Sequence, residues 1–125
     1  MTPLPDIVRA YIEAYNARDV ERMLACLADD VVFENVAGGV PTARAEGREA
    51  FAAMARRAAS VFRERRQTVT AVVAAGDRTA AQIEFRAVVA ADLPNGWTAG
   101  QEIRFGGASF FRTAGGLIRE IVDVS

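Results

Sequence analysis

The sequence predicts an α+β fold, with helices first and an antiparallel meander after them, the helices laid over one face of a curved sheet. Three observations predict it. Apolar residues recur at spacings of three and four through the first half, the pattern turns to alternation after Arg66, and glycine-containing turn signals punctuate the second half. Asp6 is placed to cap a helix over 7–17, where Ile7, Tyr11 and Ala14, with Val8, Ile12 and Tyr15 beside them, form a broad apolar stripe. Asn16-Ala17-Arg18-Asp19 breaks that helix. Asp19 can cap a short second one carrying Met23, Leu24 and Leu27 and ending at Asp29-Asp30. Val31–Val36 is β-branched and short enough for a strand, and Gly38, Gly39 and Pro41 mark a loop. A third helix begins near Gly47 and carries Phe51, Met54, Ala55, Ala58 and Phe62.

Gln67–Ala75 and Thr79–Ala91 alternate on either side of a Gly76-Asp77 turn. Leu93-Pro94-Asn95-Gly96 leads into a long strand over 98–112, in which Gly106-Gly107 predicts a bulge that bends the sheet and flips its facing. Ala114-Gly115-Gly116 turns the chain into a last strand, Leu117–Val124.

Composition narrows the chemistry. The 125 residues amount to one domain, spanning 1–125, and a net charge of −1 gives no pull toward nucleic acid or an anionic membrane. There is no His, and all 15 basic residues are Arg, so there is no Lys. Ser-His-Asp and Cys-His catalysis, His-ligated metals, Schiff bases and P-loop lysines are excluded. Proton chemistry falls to Asp, Glu, Tyr or the single Cys26, and Cys26 reads as packing between Leu24 and Leu27. No metal and no cofactor is expected. An unpaired Cys suits a reducing compartment. The opening Met1-Thr2-Pro3-Leu4-Pro5-Asp6 lacks the basic and apolar regions of a leader, so the expectation is a soluble cytoplasmic protein.

Glu84, Glu102 and Asp123 are the acids that fall within strand patterns. Residues 84, 86 and 88 share one face. Asp123 ends a strand that is hydrophobic on both faces, so its carboxylate needs a partner, and Arg86 is a sensible one. An edge ion pair in water stays open beside that reading. Arg56, Arg57, Arg63, Arg65 and Arg66 read as a solvated helix end, with attraction of an anion as the alternative. Trp97, after a turn, either covers a pocket mouth or packs.

The runs Tyr11-Ile12-Glu13-Ala14-Tyr15-Asn16-Ala17-Arg18-Asp19, Leu27-Ala28-Asp29-Asp30-Val31-Val32-Phe33-Glu34-Asn35 and Glu46-Gly47-Arg48-Glu49-Ala50-Phe51 resemble the nuclear transport factor 2-like superfamily. That group includes ketosteroid isomerases, SnoaL-type polyketide cyclases and limonene-epoxide hydrolases. The resemblance covers nearly the whole chain and is far more specific for fold than for function. It implies a cone, a bent antiparallel sheet wrapped on three helices around an apolar pocket, often dimeric through the outer sheet face.

Against ketosteroid isomerase, Tyr11 matches the oxyanion-donating tyrosine. The general-base position falls on Asn35, and the second donor falls near Ala108. Against limonene-epoxide hydrolase, Asn35 matches the water-holding asparagine, Asp123 the water-activating aspartate and Arg86 the arginine that links two acids. That family's tyrosine falls on Phe33 and its acid aspartate on Val88, which leaves Glu84 or a tyrosine to supply the proton. The SnoaL-type cyclases pair their aspartate with a histidine that this chain lacks.

The resemblance therefore implies a cofactor-independent enzyme acting on a hydrophobic small molecule, with Asp123, Asn35, Arg86 and Tyr11 as catalytic candidates. Tyr15, Phe33, Phe51 and Met54 are candidates to line the pocket from the helical side. Glu84, Val88, Ala108 and Phe110 are candidates from the sheet. Addition of water to an epoxide is the first expectation, an isomerase or cyclase the second, and a non-catalytic binding or dimerisation module the third. Ile83, Phe85, Ala87 and Val89 alternate with the cavity-facing set and are expected to point outward and bury themselves in a homodimer.

Overall fold

The structure is a computed structural model and describes residues 3–125; the Met1-Thr2 part of the segment read for a leader lies outside them. Helix α1 runs Asp6–Asn16, α2 Val20–Ala25 and α3 Arg48–Val61. The strands are β1 (Leu27–Ala37), β2 (Val40–Glu46), β3 (Phe62–Ala75), β4 (Arg78–Val89), β5 (Glu102–Ala114) and β6 (Leu117–Val124). They form one six-stranded sheet in the order β2-β1-β6-β5-β4-β3. Strand β1 pairs with β6 in parallel, and the remaining neighbours pair antiparallel. The sheet bends around the helices as the cone expectation requires.

Local chemistry explains most boundaries. Pro5 occupies the N-cap of α1 and Asp6 its first turn, where a carboxylate suits the positive end of the helix dipole. Asp19 caps α2 as expected, its Oδ1 accepting from the Arg22 N–H at 3.1 Å. Leu27 belongs to β1 rather than to α2, because it pairs with Ile118 and sinks into the core. The loop expected around Pro41 is an edge strand, β2, where a residue without an N–H is tolerated. Phe62 opens β3 instead of closing α3, and it pairs with Val89.

Helix α1 is stitched to β3 at its C-terminal end. The Asn16 side chain accepts from the Gln67 N–H at 2.7 Å and donates to the Gln67 carbonyl at 3.1 Å. Arg18 donates to the Phe62 carbonyl at 2.7 Å. These contacts satisfy backbone groups of an edge strand that has no further neighbour in the sheet.

The facing of β4 is the reverse of the sequence expectation. Ala81, Ile83, Phe85, Ala87 and Val89 are all buried on the concave side, while Gln82, Glu84 and Arg86 point to the convex side. A run of apolar residues at period two must cover the core, and a shift of one residue would have exposed all of it. The outward patch expected from Ile83, Phe85, Ala87 and Val89 therefore does not exist. Nor does Gly106-Gly107 form a bulge, because the β4–β5 register runs unbroken from Val88–Glu102 to Arg78–Arg112. Gly107 has another reason to be glycine: a Cβ there would collide with the Val124 carbonyl oxygen.

Two apolar clusters fill the concave face. The larger joins α1 and α3 to the sheet through Val8, Tyr11, Leu27, Phe51, Phe111 and Ile121. The smaller comprises Phe85, Ala87, Val89 and Ile103, with Phe62 and Trp97 against it. Tyr15 packs on both.

Candidate active site

Asp123 is carried inward by alternation on β6, on the same face as the fully buried Ile121. It sits in the interior of the sheet, with Ser109 beside it on β5 and Asn35 beside it on β1. An edge ion pair in water is thereby excluded. The buried Ser109 donates its hydroxyl to Asp123 Oδ1 at 2.6 Å. Desolvation raises the Asp123 carboxyl from its ordinary 3.8 to about 6, against the opposing pull of the Ser109 bond.

Asp123 opens onto a cavity of about 310 Å³. Tyr15, Asn35, Gln67, Ser109 and Ser125 supply its polar lining, and Phe62, Ile83, Phe85, Trp97 and Phe105 much of its apolar wall. Gly107, Ala108 and Val124 complete it. Trp97 does line the cavity, as one of its two readings required, with its ring 6.2 Å from that of Phe62. Among the described lining residues Asp123 is the only carboxylate and no arginine is present. The Asn35 amide donates to Thr42 Oγ1 at 2.8 Å, which fixes the side chain toward β2.

Arg86 is not in this site. It lies on the convex face and pairs with Glu64 at 2.8 Å and Glu102 at 3.0 Å, hydrogen bonds that raise its guanidinium above the ordinary value. The parity that places Ile83 and Phe85 inside puts Glu84 and Arg86 outside, so Arg86 cannot link to Asp123 and Glu84 cannot supply an acid to the cavity. Val88 is buried but lies on the convex side, between Glu64 and Glu102. Phe110 is also convex and 46% exposed. Phe33 and Phe51 belong to the core, their rings 5.7 Å apart edge to face, and Met54 packs partly buried against the same cluster.

The two tyrosines divide. Tyr11 is enclosed by Phe51 and Phe111 and is absent from the cavity wall; burial, then the Asp123 charge, raise its hydroxyl well above the ordinary value. Tyr15, one turn further on, lines the cavity. Burial pushes its hydroxyl up to about 12, the charge of Arg65 opposing and that of Asp123 adding. Cys26 is packing, as expected, its thiol donating to the Arg22 carbonyl at 3.4 Å and raised by burial.

Arg65 is the residue that sequence reasoning missed. Counted with a solvated helix end, it is instead on β3, faces inward and is 5% exposed. The signal was there: from Phe62 onward the alternation Phe62, Arg65, Gln67, Val69 against Glu64, Arg66, Thr68 follows a strand, with an irregularity between Phe62 and Glu64.

Comparison with known proteins agrees with the fold. A candidate polyketide cyclase from Xanthomonas campestris pv. campestris is 28% identical, with a TM-score of 0.81 over 95% of this chain and 87% of that one. Another, from Silicibacter sp. TM1040, is 28% identical, with a TM-score of 0.78 over 94% and 85%. An epoxide hydrolase of the limonene-epoxide hydrolase-like type from M. tuberculosis shares the fold at 22% identity and a TM-score of 0.74, over 94% and 78%. No curated protein sequence matches the chain significantly. Residues 8–121 match the family described as a SnoaL-like domain, from the first turn of α1 into β6, and the chain belongs to that family within the nuclear transport factor 2-like superfamily.

Proposed function

We propose that this protein is a cofactor-independent enzyme in which Asp123 moves a proton on a small, largely apolar carbonyl compound, an isomerase- or cyclase-type reaction. The observation that carries the reading is a buried carboxylate, the only one among the described residues lining a largely apolar cavity, where loss of water raises its carboxyl to about 6. Such a group is mostly ionised at neutral pH yet basic enough to accept a proton, the compromise that general-base catalysis favours. Asp123 would take a proton from the carbon beside the carbonyl, and the C–H electron pair would move into an enolate. The Asp123 carboxylic acid would then return the proton to another carbon in an isomerisation. In a cyclisation the enolate carbon would attack a second carbonyl, and the acid would protonate the resulting alkoxide. The polyketide-cyclase descriptions of two 28%-identical structures support this class.

Addition of water is the second reading, favoured by Asn35 lying beside Asp123 on the adjacent strand, where the pair could hold a water. Epoxide opening also needs a proton for the leaving oxygen, and among the described lining residues only Asp123 is a carboxylic acid. Exchange of α-hydrogens of simple ketones in deuterated water, followed by NMR, separates the readings. The wild type should catalyse exchange, and Asp123→Asn should lose roughly 10²–10⁴-fold. Epoxide hydrolysis without ketone exchange, sensitive to Asn35→Ala, would establish the hydrolase instead. Tight binding without either reaction, unchanged in Asp123→Asn, would establish a binding module.

A further inference from the structure

Arg65 is a buried cation with no described carboxylate within ion-pair distance, and two of its contacts fall on one residue, Tyr15. The guanidinium carbon lies 3.7 Å from the centroid of the Tyr15 ring. Its Nε donates to the Tyr15 carbonyl at 3.0 Å. A terminal nitrogen approaches Met23 Sδ at 3.9 Å. Burying a lone charge costs several kcal/mol, and a desolvated cation–π contact returns about 2 kcal/mol. The negative end of the α1 dipole, at the carbonyl that Arg65 caps, supplies a further favourable term. Desolvation accordingly lowers the guanidinium from its ordinary value, yet an arginine stays charged at any physiological pH.

This places a fixed positive charge behind the ring of Tyr15, while Asp123 holds the negative charge of the same cavity. Both charges act on the Tyr15 hydroxyl, in opposite senses. The lining of one cavity therefore includes both a tyrosine backed by a cation and a carboxylate base.

We infer that Arg65 is a positioning residue that clamps Tyr15 by ring and backbone, so that the Tyr15 hydroxyl receives the oxygen of a neutral carbonyl ligand whose adjacent C–H faces Asp123. The inference rests on the reading of Asp123 as a base and adds the other half of the site. It makes Tyr15 the hydrogen-bond donor to the developing enolate oxygen and leaves Tyr11 to the core. It also selects against anionic ligands, which Asp123 would repel, and against hydrocarbons, which would leave the Tyr15 hydroxyl without an acceptor.

The test uses acetophenone as probe and infrared difference spectroscopy of its carbonyl stretch in the full-length protein. It is run in the Asp123→Asn background, where no proton is removed, so its outcome is independent of the base assignment. The stretch should move to lower wavenumber on binding. Tyr15→Phe keeps the ring and its cation–π contact and should abolish the shift, with binding weakened roughly 2- to 12-fold. Arg65→Met should reduce the shift, Arg65→Lys should retain more of it than Met does, and Tyr11→Phe should leave it unchanged. A purely structural role for Arg65 would alter stability without moving the stretch in folded protein, and that result would overturn the inference. So would a shift that survives Tyr15→Phe, or failure of acetophenone to bind. Should Arg65→Met not fold, the Tyr15→Phe and Tyr11→Phe pair still decides.

Discussion

Among the described residues no cation pairs with Asp123, and its one side-chain hydrogen bond there, from Ser109, does not offset the loss of water. Its carboxyl therefore binds a proton more tightly in the folded state, at about 6, than in the unfolded chain, near 3.8. A raised carboxyl contributes stability below about pH 4, and that contribution is lost as pH rises through about 6. At pH 7 to 8 the carboxylate should cost about 1–3 kcal/mol. Asp123→Asn keeps an acceptor for the Ser109 hydroxyl and removes the charge. Chemical denaturation should find it more stable than wild type at pH 8, with the gap closing at pH 4. Equal stability at both pH values would show that Asp123 is solvated. Catalysis by the carboxylate should run the other way, rising with pH through a midpoint near 6 in kcat/KM.

At the scale of elements, β4 decides which residues meet. Ala87 is fully buried on the concave face, and Arg86 next to it is tied to Glu64 and Glu102 in solvent. Ala87→Asp should place an unpaired carboxylate in the core and remove more than about 4 kcal/mol, whereas Arg86→Ala should leave stability nearly unchanged. Urea titration of both variants checks this, and a severe Arg86→Ala would argue for the opposite facing. The alternation of Ala81, Ile83, Phe85, Ala87 and Val89 made this parity legible in the sequence. Matching Arg86 to a relative's bridging arginine implies the opposite facing, and one residue of register reverses every side chain. Arg65 was illegible for a related reason. Four charged residues between Arg63 and Arg66 look like a helix end unless β3 is known to start at Phe62. By contrast α1 and the Asp19 cap were readable, because each rests on local periodicity or capping chemistry, whereas alternation on a strand apolar on both faces left the side of Asp123 open. On β5, Gly107→Ala should cost about 1–3 kcal/mol, since the new methyl would meet backbone rather than a movable side chain.

At the scale of the whole molecule, the fold closes its concave face on two apolar clusters and leaves its convex face polar at one end and apolar at the other. Arg66, Arg86 and Arg104 lie in one cross-strand row beside Glu64 and Glu102. Further along the same face Val73, Ala80, Phe110 and Val122 lie in register, with Val73 69% and Phe110 46% exposed. We propose that the expected homodimer uses this second patch, not β4's concave residues. Light scattering at tens of micromolar, roughly where an obligate dimer persists, should give a dimer for wild type and a monomer for Phe110→Asp; a monomeric wild type would contradict it. Among the described residues no helix is long and apolar enough to cross a membrane. The account as a whole stands on the cone holding one carboxylate in an apolar cavity at a proton affinity suited to neutral pH. Carbon-13 NMR titration of the Asp123 side-chain carboxyl, assigned by its loss in Asp123→Asn, measures that directly. The account predicts a midpoint of about 6; a midpoint at about 4, the value of a solvated aspartate, would contradict it.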